Sequence, residues 1–365
     1  MMRQKIGFIG LGLIGGSIAR AIRQYFPDYG IVAFDKNKET LALATQESVI
    51  DVAATTIDDN FHHCSYIFLC APVSYNTAYL KQAAQYLHAD CILTDVGSVK
   101  SNIHREVEAL GLEEYFIGGH PMAGSEKSGY VNSRAMLIEN AYYVLTPAKG
   151  APREKVERYT RFVQALRALP VLLDYEEHDY VTGTISHLPH IIAASLVNFV
   201  RDTDTEGELM KNLAAGGFKD ITRIASSSPV MWQHICVKNK KYLSRILGEY
   251  IQTLEGAKDL IDREDEQGIY HLFESSRNYR NSIPASSAGP IKKAYEVYCD
   301  IIDEAGGIAA IATILASNNL NLKNIGIVHN REFEEGVLRI EFYDESSSKR
   351  AAELLQKFRY IVYER

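Results

Sequence analysis

Short apolar runs alternate with stretches of helical periodicity along the first half of the chain. A short apolar run predicts a strand, and apolar residues that recur every three or four positions predict a helix. The pattern predicts strands at 5–10, 30–34, 66–71, 91–95, 141–146 and 171–174, and helices at 17–25, 38–46, 76–87, 101–110 and 153–168. Strands that alternate with helices in this way form a parallel, doubly wound sheet.

The pattern changes at residue 175. Helical periodicity without strands then continues to about residue 281, most clearly at 220–225, 232–247 and 247–263. The segment 282–290 is rich in Pro, Ser, Ala and Gly, which is the composition of a linker. Beyond it the pattern predicts strand 294–301, helix 307–316, strands 323–329 and 336–342, helix 347–358 and strand 360–363. This β-α-β-β-α-β order is ferredoxin-like.

These patterns divide the chain into three predicted domains. They are an α/β domain over 1–174, an all-α domain over 175–285 and a small α+β domain over 291–365. A chain of 365 residues is long enough for two or three domains, each with its own core.

Composition narrows the class of protein. The net charge of -7 argues against nucleic acid as the main partner, because phosphate binding needs a basic face. The longest apolar runs, 66–73 and 306–316, fall short of the ~20 residues of a membrane span. No signal peptide is evident, so we expect a cytoplasmic protein without membrane contact. The 5 cysteines form no Cys-x-x-Cys pair, which predicts reduced thiols and no metal site.

The first predicted strand runs into a glycine-rich turn, followed by a helix. The turn is Gly10-Leu11-Gly12-Leu13-Ile14-Gly15, which has the Gly-x-Gly-x-x-Gly spacing of a dinucleotide-binding Rossmann domain. The first glycine makes the tight turn, the second admits the pyrophosphate and the third lets the helix pack on the strand. The alternative is a strand-to-helix turn that binds no nucleotide.

Asp35 ends the second predicted strand, where an acidic side chain accepts the ribose hydroxyls of NAD. Its charge would repel the 2′-phosphate of NADP, so NAD is the predicted cofactor. Lys36 is a possible partner for that phosphate and makes the preference moderate.

Ligands of doubly wound sheets bind beyond the carboxyl ends of the strands. Three predicted loops leave those ends: the first carries Ala71 and Pro72, the second carries Ser98, and the third is the stretch 118–129 with His120. Four glycines and Pro121 in the third stretch predict a shaped loop instead of a helix or strand. The alternatives are a helix N-cap role for Ser98 and a polar surface turn around His120.

Two segments of the helical part are dense in polar groups. His187 and His190 are spaced for one helical face, and Pro189 between them predicts a bend or the start of a new helix. Further on, Lys219 and Arg223 are spaced i and i+4, as in a clamp for a dianionic substrate. The alternatives are structural histidines and a solvated, charged helix end.

Along its whole length the chain resembles the prephenate and arogenate dehydrogenase family of tyrosine biosynthesis. The resemblance rests on Gly10 to Gly15, Gly97-Ser98-Val99-Lys100, Gly119 to Gly124 with Glu126 to Gly129, Ser186 to His190, Phe218-Lys219-Asp220 with Thr222-Arg223, and Pro229 to Trp232. It implies NAD-dependent oxidative decarboxylation of prephenate to 4-hydroxyphenylpyruvate. The C-terminal domain resembles an ACT domain, with Gly306-Gly307 where that fold commonly has Pro-Gly.

The resemblance also implies roles for individual residues. His120 would accept the proton of the ring hydroxyl, Ser98 would orient that hydroxyl near the nicotinamide, and Glu126 would gate or polarise the site. In the helical domain, His187 and His190 would line the substrate pocket and Arg223 would bind a carboxylate. The remaining implied substrate-site residues are Lys219 and Asp220 as supporting groups, and Gly216 and Trp232 in the pocket of the partner subunit of a homodimer.

The ACT resemblance suggests tyrosine as an effector. Its contact region would be the turn with Asp303, Gly306 and Gly307, together with Asn324 on the next strand; the alternative is a dimerisation domain only. Other readings of the whole chain are arogenate dehydrogenase, a β-hydroxyacid-type dehydrogenase and an NAD-sensing regulator. The second would need a helical lysine base, and the third a basic or partner-binding surface.

Overall fold

The computed structural model describes residues 4–71, 73–124, 127–283, 295–301, 306–328 and 336–363. The chain forms two compact units, Met1–Gly289 and Pro290–Arg365. Of the predicted linker 282–290, Ser282 is the last residue of a helix, and residues 284–290 lie outside the described residues.

The strands of the first unit follow the predicted alternation with helices. They are β1 (Lys5–Ile9), β2 (Gly30–Phe34), β3 (Val52–Ala54), β4 (Cys64–Leu69), β5 (Ile92–Asp95), β6 (Ile117–Pro121), β7 (Tyr142–Pro147) and β8 (Leu169–Leu172). The helices between them are α1 (Leu13–Tyr25), α2 (Lys38–Gln46), α3 (Val73–Ala83), α4 (Ser101–Ala109) and α5 (Arg153–Ala165). The helix α1 begins before the predicted residue 17, because the glycines of the turn are part of its first turns.

Five of these strands form the predicted parallel sheet, in the order β3-β2-β1-β4-β5. The short strand β3 was not predicted. The sheet is buried on both faces: Phe8 and Phe68 stack at 5.0 Å between ring centroids on one side, and Ile9 and Ile67 pack among the apolar residues of the other. The Rossmann fold class is confirmed.

The strand β6 corrects the prediction of a loop over 118–129. It pairs with β7 in antiparallel register, with His120 opposite Val144. A Cβ on Gly118 would lie 2.4 Å from Thr146 Oγ1, and one on Gly119 would lie 2.7 Å from the Asp95 carbonyl oxygen. The two glycines therefore allow other residues to pack closely against a strand, and they do not mark a flexible loop.

The second part of the first unit is helical, as predicted. Its helices are α6 (Tyr175–Thr182), α7 (Leu188–Thr203), α8 (Leu209–Leu213), α9 (Gly216–Thr222), α10 (Pro229–Lys238), α11 (Lys240–Asp262) and α12 (Glu266–Ser282). A predicted helix break at Leu247 is wrong, since α11 continues through it. The break lies at Asn239, whose buried side chain is held by hydrogen bonds to other parts of the unit.

A π-helical segment, Gly183–His187, joins α6 to α7 without interrupting the helical run. Pro189 lies in the first turn of α7, where the missing N–H costs no hydrogen bond. The run Tyr175–Thr203 is apolar and long enough to cross a membrane by length and composition alone. It carries buried His178, Asp179 and His187, however, and these contact other elements of the first unit.

The C-terminal unit has the predicted ferredoxin-like order. It comprises β9 (Tyr295–Ile301), α13 (Gly307–Ser317), β10 (Leu322–Val328), β11 (Gly336–Phe342), α14 (Glu345–Lys357) and β12 (Val362–Tyr363). The sheet order is β10-β11-β9-β12, with antiparallel pairs throughout. Ile311, Leu315, Leu338 and Leu355 lie in its core.

Candidate active site

The glycine turn between β1 and α1 has the geometry that its spacing predicts. Gly10 has φ +96°, and a Cβ there would lie 2.6 Å from the backbone nitrogen of Ala71. A Cβ on Gly12 would meet no atom within 4 Å, whereas one on Gly15 would lie 2.7 Å from the Gly10 carbonyl oxygen. No side chain caps the N-terminus of α1. The turn thus leaves open space beside an uncapped helix N-terminus, where a pyrophosphate is stabilised.

Asp35 lies directly after β2, beside this turn. Its Oδ2 accepts the N–H of Leu11 at 2.7 Å, and its Oδ1 accepts the N–H of Asn37 at 2.8 Å. The carboxylate is therefore fixed in place with further lone pairs available. The ammonium of Lys36 lies 4.0 Å from the ring centroid of Tyr75, so in this structure it is held as a cation–π pair.

A buried ion pair attaches β6 to the end of β5. The ammonium of Lys100 donates to the carboxylate of Asp95 and, at 2.7 Å, to the carbonyl of Gly119. The N–H of Gly119 in turn donates to Asp95 Oδ1 at 3.3 Å. Both backbone groups of the residue before His120 are thereby fixed. Burial lowers the pKa of Lys100 more than the neighbouring Asp95 raises it.

His120 leads into a chain of hydrogen bonds that reaches the helical part. His120 Nδ1 lies 2.8 Å from His178 Nε2, and His178 Nδ1 lies 2.9 Å from Asp179 Oδ1. The carboxylate of Asp179 also accepts the backbone N–H groups of Lys100 and Ser101 at 2.7 and 2.8 Å. It therefore caps α4, and the N-cap role considered for Ser98 is wrong, because the N-cap position is Lys100.

The imidazoles of this chain are held neutral. Burial is the main cause that places the pKa of His120 well below its usual value, and His178 and Lys100 lower it further. Burial also lowers the pKa of His178, although its hydrogen bond with Asp179 opposes the shift. Burial raises the pKa of Asp179, but the hydrogen bonds from His178, Ser101 and Lys100 outweigh it and leave the pKa below its ordinary value.

His187 and His190 converge on one aromatic side chain. The His190 ring stacks on Trp232 at 3.9 Å between centroids, and the His187 ring meets the same indole edge-on at 5.9 Å. Trp232 thus packs on histidines of its own chain, and the place in the partner's pocket that the resemblance implies for it stays a prediction. The charge of Arg223 lowers the pKa of His190, although burial is the larger cause. His187, His190, Trp232 and Arg223 are thus brought together.

His187 is fully enclosed and is tied to Asn239. The Nδ2 of Asn239 lies 3.1 Å from His187 Nδ1 and donates to the carbonyl of Asp179 at 2.9 Å. Burial lowers the pKa of His187 to about 4. His187 also belongs to the surroundings of His120, since its charge would lower the pKa of that imidazole. The two groups of histidines therefore form one cluster.

The remaining predicted site residues lie on other elements or outside the described residues. Ser98 lies half-buried in the turn between β5 and α4, while Gly216, Lys219 and Asp220 lie on α9, with Lys219 and Asp220 exposed. Pro72, Glu126 and Asp303 lie outside the described residues. In the C-terminal unit, Gly306 has φ +98° at the start of α13 next to Gly307, and Asn324 accepts the N–H of Ile325 on β10.

Sequence reasoning missed His178, Asp179 and Asn239, and assigned Lys100 no role. His178 and Asp179 follow two glutamates in the first turn of α6, where acidic residues are common. The local sequence therefore does not indicate that this pair is buried. Asn239 falls where two helices meet, and the nearly continuous helical periodicity around it gave no signal. Among the described residues, no group of His, Cys, Asp or Glu is placed to hold a metal ion.

The buried, neutral histidines predict that the folded state loses stability in acid. The pKa is lowered to about 4 at His187 and to about 3 at His104, in both cases mainly by burial. Between pH 6.5 and about 4 the unfolded chain therefore binds more protons than the folded one, and the free energy of unfolding falls as the pH falls. We expect a loss on the order of a few kcal/mol across this window in urea unfolding, since one pKa unit corresponds to about 1.4 kcal/mol.

A matched pair of variants tests whether buried, neutral histidines cause this pH dependence. His104→Gln removes a buried titrating group, whose ring accepts or donates at 2.9 Å to Thr146 Oγ1, and should make the pH dependence shallower. His271→Gln changes an exposed histidine of α12 and should leave the dependence unchanged. A stability that stays constant from pH 6.5 to 4 would contradict the buried, neutral state.

Comparison with known families gives two matches within the first unit. Residues 18–172 match the model of the prephenate dehydrogenase nucleotide-binding domain, and residues 174–275 match that of the prephenate dehydrogenase dimerization domain. The predicted domain boundaries stay a prediction, since the contacts of the chain divide it only into the two units above.

Individual relatives agree with these matches. Prephenate dehydrogenase of Bacillus subtilis is 36% identical over 357 residues, which cover 97% of this chain and 96% of that protein. The structure of Aquifex aeolicus prephenate dehydrogenase in complex with hydroxyphenyl propionate and NAD+ is 32% identical and has a TM-score of 0.73, covering 78% of this chain and 99% of that one. Synechocystis arogenate dehydrogenase is 28% identical with a TM-score of 0.70, covering 77% of this chain and 100% of that one.

Proposed function

The chain belongs to the prephenate dehydrogenase family, and from this we propose that it is an NAD-dependent enzyme that converts prephenate to 4-hydroxyphenylpyruvate and carbon dioxide. The observation that carries the proposal is His120. It is a neutral imidazole on β6, the strand that is attached through Gly119 to Asp95 at the carboxyl end of β5. The glycine turn leaves the carboxyl end of β1 in the same parallel sheet as β5. A hydride donor of the carbinol class needs such a proton acceptor.

The residues of the first unit fit NAD. The open space beside Gly12 and the uncapped N-terminus of α1 suit the pyrophosphate, and Asp35 suits the ribose hydroxyls. Because Asp35 would face a 2′-phosphate, and Lys36 is engaged with Tyr75, NAD is favoured over NADP. When bound, NAD supplies the acceptor for the hydride that leaves the ring carbon bearing the hydroxyl.

In the proposed reaction the protein accepts one proton and binds the two carboxylates of the substrate. His120 accepts the hydroxyl proton as the C–H bond weakens, so that the carbon–oxygen double bond can form. Loss of the ring carboxylate as carbon dioxide returns an electron pair to the ring, which becomes aromatic, and the oxygen recovers a proton to give the phenol. Ser98 is proposed to orient the hydroxyl, and Glu126 to gate the site.

We place the carboxylates of the substrate at the helical side of the cluster. Arg223 lies near His190, which stacks on Trp232, so a cation and an aromatic surface border the same space. Guanidinium groups bind carboxylates in bidentate fashion. His187 and His190 line this side, with Lys219, Asp220 and Gly216 as supporting groups on α9.

Arg223→Ala should weaken substrate binding and leave the cofactor alone. Loss of a charge-assisted hydrogen bond costs about 1.5 to 3 kcal/mol, so we expect KM for prephenate to rise about 10- to 150-fold. KM for NAD should stay the same, because the glycine turn is untouched. Initial rates at varied concentrations of each substrate measure both constants.

Arg153→Ala is the matched control, because Arg153 lies exposed at the start of α5 and pairs with Glu157. It should change neither constant. An unchanged KM for prephenate in Arg223→Ala would remove Arg223 from the substrate site.

The choice between prephenate and arogenate is tested by offering each separately with NAD. The two differ in a keto against an amino group on the side chain. We expect a higher kcat/KM with prephenate, as measured by the absorbance of NADH. A higher kcat/KM with arogenate would establish the alternative, which the similarity to Synechocystis arogenate dehydrogenase keeps open.

The helical part is proposed to form a homodimer, and the partner that covers it is a second copy of this chain. Phe199, Phe273 and Tyr279 are 64%, 69% and 74% exposed in the single chain. None of the described residues of α12 is buried, although this helix has an apolar stripe. Burying such a face is favourable, and residues 174–275 match a dimerization domain. We also propose a cytoplasmic location.

The C-terminal unit is proposed to sense tyrosine, the end product of the pathway. Its ferredoxin-like order is that of small-molecule-binding ACT domains, and Gly306 with positive φ exposes the start of α13 to a ligand carboxylate. Gly307, Asn324 and Asp303 complete the proposed contact region. A ligand there inhibits only if it binds the less active arrangement more tightly.

Truncation after Pro290 should keep dehydrogenase activity and abolish inhibition by tyrosine. The retained part is a separate compact unit, and it contains every proposed catalytic residue. In the whole chain, coupling of ~1 to 3 kcal/mol would change activity about 5- to 150-fold at saturating tyrosine. Rates of both proteins against tyrosine concentration measure this, and equal inhibition of both would place tyrosine at the active site instead.

A further inference from the structure

Asp179 sits at the junction of two hydrogen-bond paths, each of which ends at a histidine of the site. Its side chain leads through His178 to His120, and its backbone carbonyl leads through Asn239 to His187. Asp179 itself is fully buried and is held by the first turn of α4. The two paths decide where each neutral imidazole carries its proton.

The side-chain path fixes the proton of His120. An ionised carboxylate only accepts hydrogen bonds, so the Nδ1 of His178 must donate to Asp179. Neutral His178 then has a bare Nε2, which accepts the Nδ1–H of His120 across 2.8 Å. The Nε2 of His120 is therefore left with a lone pair, which is the form that a proton acceptor needs.

The backbone path fixes the proton of His187 in the opposite way. The Asp179 carbonyl cannot donate, so it must face the NH₂ group of Asn239 and thereby sets the orientation of that amide. The same NH₂ group faces the Nδ1 of His187 at 3.1 Å, which must accept. Neutral His187 then carries its proton on Nε2 and is a hydrogen-bond donor.

We propose that Asp179 is a positioning residue that sets these two histidines to opposite tautomers, with His120 as a proton acceptor and His187 as a donor at Nε2. The catalytic role of these tautomers rests on the proposed function. A substrate with a hydroxyl group and a carboxylate or keto oxygen requires this combination of one acceptor and one donor. Two donors, or two acceptors, would leave one substrate group unpaired.

The direct test is ¹⁵N NMR of the full-length protein labelled at the histidine rings, without substrate. Protonated and bare ring nitrogens of a neutral imidazole have distinct ¹⁵N shifts, and the signals are assigned by their loss in His120→Asn and His187→Asn. We expect the proton of His120 on Nδ1 and that of His187 on Nε2. The opposite tautomer at either histidine overturns the proposal, whatever substrate the enzyme uses.

Asp179→Ala supplies the kinetic test. It removes the carboxylate that accepts the Nδ1–H of His178, so His178 no longer holds the proton of His120 on Nδ1. We expect kcat to fall by a factor on the order of 10² to 10⁴, the usual contribution of a general base. KM for prephenate and for NAD should change little. A folded variant with nearly unchanged kcat overturns the proposal, and failure of the proposed function would instead leave the wild type without prephenate turnover.

Asp179→Ala also removes the cap of α4, so a second pair of variants avoids that site. In His178→Gln the amide oxygen can still accept the Nδ1–H of His120, whereas His178→Phe offers no acceptor. We expect the Gln variant to keep far more of the wild-type kcat than the Phe variant, and only the Phe variant to shift the His120 proton in the ¹⁵N spectrum. Equal kcat in the two variants contradicts the proposal.

A substitution at Asn239 tests the backbone path. In Asn239→Asp an acceptor replaces the donor beside His187 Nδ1, so the proton of His187 should move from Nε2 to Nδ1. Because His187 is proposed to line the substrate pocket and is not the base, KM for prephenate should rise more than kcat falls. An unchanged His187 signal in this variant contradicts the role of the path.

Discussion

His120→Asn is expected to lower kcat by a factor on the order of 10² to 10⁴, while the affinity for NAD stays close to that of the wild type. This factor is the usual contribution of a general base. Asparagine can hydrogen-bond to the substrate hydroxyl but cannot take its proton at neutral pH. The glycine turn and Asp35 are not altered, so the cofactor site should be intact. Steady-state kinetics and titration of NAD by fluorescence measure the two effects.

The control is His271→Asn, a substitution of an exposed histidine that pairs with Glu274 and meets the ring of Tyr270 on α12. It should keep full activity. A His120→Asn enzyme with nearly normal turnover would remove His120 from the mechanism, and the surrounding hydrogen-bond chain would then be structural only.

Lys100→Met is expected to have the largest effect on stability. Lys100 and Asp95 are 0% and 1% exposed, and the ammonium also holds the carbonyl of Gly119. Removing it leaves a buried carboxylate without its counter-charge, which costs about 3 to 5 kcal/mol. Urea or thermal unfolding at neutral pH measures the loss. Any folded fraction should also have low activity, because the strand that carries His120 loses the bond from Lys100 to the carbonyl of Gly119.

The double variant Lys100→Met with Asp95→Asn separates charge from packing. It removes the unpaired carboxylate and keeps an oxygen that can accept the N–H of Gly119. We expect it to recover a substantial part of the lost free energy of unfolding. A single variant that loses less than about 1 kcal/mol would show that the pair is not stabilising in the sense proposed.

Local patterns predicted much of the fold. The bounds of β2, α2 and β11 are those predicted, because each is an apolar or amphipathic segment between clear breaks. The glycine turn was predicted in detail, since its spacing is typical of a strand, a tight turn and a helix that follow one another in the sequence. The ferredoxin-like order of the C-terminal unit followed in the same way from periodicity.

Other features depend on contacts between distant segments. Gly118 and Gly119 indicate a flexible loop by composition, but their role is to admit Thr146 and Asp95 against a strand. The contact of His120 with His178 joins residues 58 positions apart, and no periodicity signals it.

The helical half of the site was predicted in part. His187 and His190 were predicted to share a face, and they do meet at Trp232. Trp232 packs on these histidines of its own chain, and its assignment by resemblance to the pocket of the partner subunit stays a prediction. Asn239 was hidden at a helix junction, because the helical periodicity on both sides of it is nearly continuous.

The central claim is tested most directly by the products formed from prephenate and NAD with the purified wild-type protein. We predict equal amounts of NADH, carbon dioxide and 4-hydroxyphenylpyruvate, measured by absorbance, by carbon dioxide release and by chromatography. NADH formed without carbon dioxide, or no NADH above the rate without protein, would contradict the claim that this chain oxidises and decarboxylates prephenate.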